Sequence, residues 1–421
     1  QLAGREPREH FRYAPLDVAC HYFYPDGTQL KAFSEVEAFA AEVETVLDVD
    51  RAVIRDYLRD AARKYELTRG IFLERSLHKA STYLSKDVLR ALANVWRLNL
   101  SGSMDRVNRR RLRHPKLVQL FNRFATYNGS SPYRAPGVMN LIPHLEHGIG
   151  AAFPEGGMHA ITQSLVGLAE DLGVEFHMNT PVREIIVEGR RAVGIKLDSR
   201  SHRSDLVVSN MDVVPTYRHL LKGQKAPERV LRHERSSSAL IYYWGIGAEF
   251  PEMGLHNIYF SADYKREFQE IFETKTVGED PTIYVNITSK AQAGDAPEGM
   301  ENWFVMVNVP CDTGQDWEGL IEGARERIIA KLSRMTGRDV ASLIQTEARL
   351  DPRTIASRTS SFGGALYGAS SNSKLSAFLR HPNFSGRIRD LYFCGGSVHP
   401  GGGIPLCLLS ARIVAEMVGA A

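Results

Sequence analysis

One stretch near the end of the chain, LYFCGGSVHPGGGIPLCLLSARIVAEMVGA from Leu391 to Ala420, constrains the fold more than any other. A short apolar run ends in two glycines, Pro400 and three further glycines follow, and Ile404 and Pro405 open an apolar helical run through Met417. The order is therefore strand, loop, helix. Glycine lets a backbone pass close to a ligand, and the free N–H groups and partial positive charge of a helix start suit a phosphate or a reduced, anionic ring. A plain turn uses the same residue types. Loops of this kind usually announce a dinucleotide site in the first βα turn of a chain, whereas this one comes almost last.

The chain is long enough for one large or two medium domains. Its 421 residues are 43% hydrophobic and 24% charged, a globular balance that excludes a disordered or fibrous protein. Fifty-two Lys and Arg against 49 Asp and Glu leave a formal charge of +3, so the molecule as a whole has no electrostatic reason to bind nucleic acid. Cys20, Cys311, Cys394 and Cys407 stand far apart with no C-x-x-C pair, which argues against a metal knuckle or disulfide framework and for a reducing, cytoplasmic compartment. No run approaches the ~18 uncharged residues of a membrane span, and the most apolar stretch, 404–418, carries Arg412 and Glu416.

From Gln1 the chain enters β-type alternation, turned at Pro25-Asp26-Gly27, without a glycine-rich first turn, and reads as the middle of a longer protein. Residues 34–75 read as two helices and 78–126 as mostly helical. MHAITQSLVGLAEDL, 158–172, is an amphipathic helix closed by Gly173. VEFHMNTPVREIIVEGRRAVGIKL and SDLVVSNMD then give a short strand, a hairpin turning at Glu188-Gly189, and a last strand. Between 236 and 312, SALIYYWGI, TIYVNITS and ENWFVMVNVP predict a mainly antiparallel sheet, followed by the long amphipathic helix WEGLIEGARERIIAKLSRM.

Other constellations carry less. Ser397 and His399 lack a placed acid and the G-x-S-x-G pattern, so a hydrolase is not indicated. PHLEH brings His144 and His147 three residues apart around Glu146, but the H-E-x-x-H pattern fails and no third ligand is evident, so no metal is expected. RVNRRRLRHPK holds six Lys and Arg between 106 and 116, which is either a solvated helix face or a contact with anionic lipid.

Three motifs in order carry a resemblance: FPEGGMHAI (153–161), LAEDLGVEFHMNTPVREIIVEGRRAVGIKLDSRSHRSDLVVSNMD (168–212) and LYFCGGSVHPGGGIPLCLLSAR. Together they resemble the bacterial phytoene desaturase type of carotenoid desaturase across essentially the whole chain. RFATYNGSSPYRAPGVMNLIPHLEHGIGAAFPEGGMHAI, ERSSSALIYYWGI, LHNIYFS and ENWFVMVNVP look closest to its hydroxycarotenoid 3,4-desaturase branch.

The resemblance implies an α/β (α+β) two-domain flavoprotein. FAD would lie in a Rossmann-like domain built from 148–212 and 370–421, completed by a G-x-G-x-x-G segment expected ahead of Gln1. The substrate domain, 1–147 and 213–369, would combine a mainly antiparallel sheet with helices around an apolar tunnel. By the same resemblance, Val182 reads the adenine edge through its backbone, Gly395 and Gly396 form the flavin-proximal turn, Gly403, Ile404 and Pro405 begin the helix aimed at the isoalloxazine ring, and Gly156, Gly157 and Met158 pass beside it. No catalytic base is assigned. The implied reaction removes two hydrogens from an apolar carotenoid, with a peripheral position on the cytoplasmic face of an anionic membrane. Carotenoid cis-trans isomerase, flavin amine oxidase and a non-catalytic isoprenoid-binding protein are the alternatives.

Overall fold

The structure is a computed structural model that describes residues 4–419; the outer ends of the first and last expected segments, 1–3 and 420–421, lie outside the described residues. A seven-stranded sheet organises the larger part of the chain. Its order is Ile344–Leu350, Ser238–Ile246, Glu301–Val309, Ile283–Asn286, His256–Tyr259, Val18–Phe23 and Gln29–Phe33. Every neighbouring pair is antiparallel except His256–Tyr259 with Val18–Phe23. The alternation read from the sequence thus produces the expected mainly antiparallel sheet.

Period-two alternation gives this sheet two different faces. Along Glu301–Val309, Trp303, Val305, Val307 and Val309 are buried against Ile321, Ala324, Ile328 and Leu332 of the long helix Trp317–Thr336. Met306 and Asn308, one residue out of phase, border a cavity on the other side. At the far end of the sheet, Tyr22, Tyr24 and Leu30 pack through Phe39, Val43, Ile54 and Phe121 onto the helices Val36–Leu47, Arg51–Thr68 and Pro115–Asn122. Glu35 and Asp50 cap the first two of these, accepting the N–H groups of Ala38 at 2.6 Å and Ala52 at 2.7 Å. The expected helical run 78–126 is broken into short pieces, because Asn99 and Arg113 take positive φ (51° and 59°) and Pro115 restarts a helix.

The remaining chain forms a smaller α/β body. Leu391–Phe393 pairs in parallel with Val207–Ser209, and Glu184–Glu188, Arg191–Lys196 and Ser201–Arg203 form an antiparallel meander. Its first turn falls one residue later than expected, on Gly189-Arg190, both at positive φ (53° and 63°), as a type I′ hairpin turn requires. The short strand expected at 174–178 does not form: a strand exists only by pairing its backbone, and among the described residues this one has no neighbour. Val174, Phe176 and Met178 are consequently exposed, as are Leu165 and Leu172 beside them. The expected helix forms over His159–Asp171, with Gly173 at φ 82° behind it, yet buries none of its residues.

Candidate active site

The glycine loop after Leu391–Phe393 is held by side chains outside it. Asn383 Nδ2 donates to the His399 carbonyl at 2.7 Å and to Ser410 Oγ at 3.0 Å, while Ser410 Oγ accepts the Gly395 N–H at 3.2 Å. Ser397 Oγ accepts the Val213 N–H at 3.1 Å, tying the loop to the segment after Val207–Ser209. A Cβ at Gly395 would stand 2.6 Å from the Asn210 amide, and one at Gly402 would stand 2.7–2.9 Å from Tyr367. Packing alone therefore excludes side chains there. Gly403 is different: its φ is 100° and a Cβ would meet nothing within 4 Å. Gly156 and Gly157 are likewise at positive φ (81° and 76°), with at most one distant contact.

Gly403 leads into the fifteen-residue helix Ile404–Val418, and Pro405 in its first turn borders the cavity beneath the sheet. That cavity encloses about 530 Å³. Leu16, Phe124, Ile258, Met306 and Leu366 give it an apolar lining, and Tyr127, Tyr264, Tyr284 and Tyr367 add aromatic walls. Ala151 and Ala152, at the start of the strand leading to Gly156 and Gly157, line the same space. One wall is polar: Arg123, Tyr127 and Glu146 stand together, with Tyr127 Oη donating to Glu146 Oε2 at 2.6 Å. All three lie in the stretch 123–161 that carries part of the resemblance, but the sequence does not say that they share one wall, since they are scattered over 24 positions.

On the far side of the loop, Pro181, Val182, Ile185, Asn210 and Met211 line a groove of about 710 Å³. Asn210 Nδ2 reaches the Cys394 carbonyl at 3.3 Å, so the groove runs up to Gly395. Val182 is half-buried at its mouth and lies outside the strand that begins at Glu184. The path from Val182 past Asn210 and Gly395 to Gly403 and Pro405 passes bare backbone and a helix N-terminus. Its length and its free backbone N–H groups at a helix start are compatible with an extended dinucleotide.

Other groups fall away on geometry. Ser397 Oγ is engaged by Val213, and His399 Nε2 lies 2.8 Å from the Arg75 carbonyl, its ring held by burial down to about 4; they form no nucleophile–base pair. His144 rests on Tyr65 while His147 stacks on Phe39, and among the described residues no group of three metal-ligating side chains gathers. Arg380, absent from the sequence reading, is buried with Nη1 donating to the Tyr367 carbonyl at 2.8 Å, and burial lowers it to about 10.

This arrangement is that of a flavoprotein oxidoreductase that binds FAD, and the chain belongs to the flavin containing amine oxidoreductase family, whose model matches residues 12–418. Within that family it is 51% identical over 408 residues, 97% of this chain and 83% of the relative, to the 1-hydroxycarotenoid 3,4-desaturase of a Flavobacterium species. It is 29% identical over 424 residues, 99% of this chain and 84% of the relative, to the 4,4'-diapolycopene oxygenase of a Methylomonas species. Among solved structures, a putrescine oxidase redesigned at its cofactor site matches with a TM-score of 0.59 at 12% identity, covering 98% of this chain and 83% of that one, a likeness of fold.

Gly402 and Gly403 separate packing from cofactor contact. In FAD-loaded protein, Gly402→Val is expected to lower the melting temperature sharply and lose flavin together, because of Tyr367. Gly403→Val has no protein neighbour to strike, so it should cost only the backbone strain of about 1–3 kcal/mol while releasing flavin. Bound FAD per protein, measured beside the melting temperature, checks this; full flavin retention by Gly403→Val would place the ring elsewhere.

Proposed function

We propose that the protein is a FAD-dependent carotenoid desaturase that forms a new C=C bond in a polyene bearing a hydroxyl near one end. The observation that carries this reading is Pro405, which belongs both to the helix start proposed to face the flavin ring and to the wall of the apolar, aromatic cavity. Bound there, the flavin supplies the acceptor for a hydride from an allylic carbon, and loss of the neighbouring proton leaves a product two hydrogens lighter. The chain's own part is to place and shield. The sheet face carrying Met306 and the rings of Tyr264, Tyr284 and Tyr367 pack a flat polyene and exclude water, and the N-terminus of Ile404–Val418 favours negative charge on the ring it faces. In the smaller body, Val182, Gly156, Gly157, Met158, Gly395 and Gly396 are proposed to hold the rest of the cofactor.

An amine substrate fits the cavity poorly. An ammonium group would share its wall with the Arg123 cation, like charge beside like charge in an apolar space. The decisive test is to express the complete reading frame in cells that accumulate hydroxylated carotenoid and weigh the pigments. The expected product has lost two hydrogens per reaction; an unchanged mass with altered geometry would indicate an isomerase.

A water-insoluble substrate calls for a lipid contact, and a surface for it lies at 79–97. Leu84 (87% exposed), Leu89 (67%), Leu92 (62%) and Trp96 (69%) are bare apolar side chains, interleaved with the exposed cations Lys79, Lys86, Arg90 and Arg97. We propose that this segment, and not the 106–116 run, meets anionic lipid on the cytoplasmic side. In that run Arg109, Arg111 and Lys116 are already paired with Asp105, Asp60 and Asp26. Each apolar side chain withdrawn from water contributes about 1.5–3 kcal/mol, so Leu89→Ser with Trp96→Ser is expected to reduce binding to phosphatidylserine vesicles at least tenfold, while wild-type binding falls steeply with salt. Binding that is unaltered by these substitutions would remove the segment from this role.

A further inference from the structure

The polar wall of the cavity is incompletely satisfied, in a way that selects for one kind of ligand. His147 is fully enclosed, stacked on Phe39 at 4.6 Å, with Nδ1 3.1 Å from the Phe33 carbonyl. A carbonyl only accepts, so Nδ1 carries the proton and Nε2 is left as a lone pair; burial lowers the ring's basicity and keeps it neutral. Nε2 lies 3.6 Å from Glu146 Oε1, and both atoms are buried without a hydrogen-bond partner. Two acceptors face each other and neither has a donor. The other carboxylate oxygen is fixed by Tyr127, which borders the cavity and is 41% exposed. Arg123 lies 5.3 Å from the Tyr127 ring and 5.6 Å from that of Tyr22, donates to Tyr22 Oη at 3.2 Å, and balances the carboxylate charge.

The Glu146 carboxylate borders the cavity with Oε1 closed off against His147; a hydrocarbon would cover this charge without offering a donor, whereas an alcohol brings one. We propose that Glu146, clamped by Tyr127 and backed by Arg123 and His147, accepts the hydrogen bond of the substrate hydroxyl, and that fixing this end of the polyene sets which carbon–carbon bond lies against the flavin. The inference rests on the desaturase reading above. It also accounts for where the wall sits. In a 1-hydroxylated chain oxidised between carbons 3 and 4, the hydroxyl oxygen is only three bonds from the nearer reacting carbon. Its anchor must therefore share a compartment with the flavin end of the cavity, and Glu146 and Pro405 line the same one. A site built to pair a substrate hydroxyl discriminates strongly against the analogue lacking it, because its own buried groups are then left unpaired.

The test uses the complete, FAD-loaded protein, offered equal amounts of a 1-hydroxylated carotene and the same carotene without the hydroxyl, with products counted by mass. Wild type is expected to favour the hydroxylated substrate roughly ten- to hundredfold in kcat/KM, the range of one hydrogen bond to a charged acceptor. In Glu146→Gln the amide oxygen still accepts from Tyr127 and the NH2 turns to His147 Nε2, so the wall satisfies itself and the preference should fall to near parity. Tyr127→Phe, which leaves the second carboxylate oxygen without its donor as well, should instead raise the ratio, and serves if the first variant does not fold; flavin content and melting temperature report that. A folded, flavin-loaded Glu146→Gln protein that keeps the full preference would overturn the assignment, as would equal wild-type rates on the two carotenes. If wild type oxidises neither, the desaturase reading itself falls and this inference with it.

Discussion

The turn from Leu391–Phe393 into Ile404–Val418 closes in this shape because Gly395 and Gly402 carry no side chain. Asn383 and Ser410 hold it by hydrogen bonds, and the room that Asn210 leaves at Gly395 and Tyr367 leaves at Gly402 is too small for a Cβ. That compression fixes where the helix begins, and the helix start is what brings Pro405 to the cavity under the seven-stranded sheet. The proposed cofactor path and the cavity therefore meet at Pro405 because a backbone is held there in one shape. Were the loop free to move, the groove at Val182 and the cavity at Tyr127 would be two unrelated depressions.

The sheet contributes the other half of the geometry. Its even alternation commits Trp303, Val305 and Val307 to the Trp317–Thr336 helix and leaves the opposite face to enclose a space. A sheet sealed on both faces would have no cavity, and one open on both would have no core. The cavity is apolar because a sheet core is apolar, and its polar wall is built from the broken helical segments at 123–147, where the chain is not committed to the sheet.

Features governed by local rules were legible in the sequence: the glycine loop and its helix, the Asp26-Gly27 hairpin, the paired N-terminal helices and the strands 238–246 and 301–309 follow from period, caps and turn residues. Features that depend on pairing across the chain were not. Residues 174–178 have strand composition, but a strand also needs a neighbour. The basic run at 106–116 looked like a free charged face until Asp26, Asp56 and Asp60 were brought beside it by folding; Asp26 and Asp60 pair with Lys116 and Arg111. The stretch holding Arg123, Tyr127 and Glu146 stood out in the sequence, but their grouping did not, for the same reason: only the fold turns them toward one cavity.

The account stands on the claim that a polyene in this cavity delivers its electrons to a flavin at the Gly403–Pro405 turn. The most direct measurement is anaerobic mixing of the complete FAD-loaded protein with one equivalent of hydroxylated carotenoid while flavin and polyene absorbance are followed together. Bleaching of the flavin band in step with a red shift of the polyene, one new double bond per flavin reduced, is the predicted result. A polyene band that shifts while the flavin stays oxidised, or a flavin that the carotenoid never reduces, would contradict it.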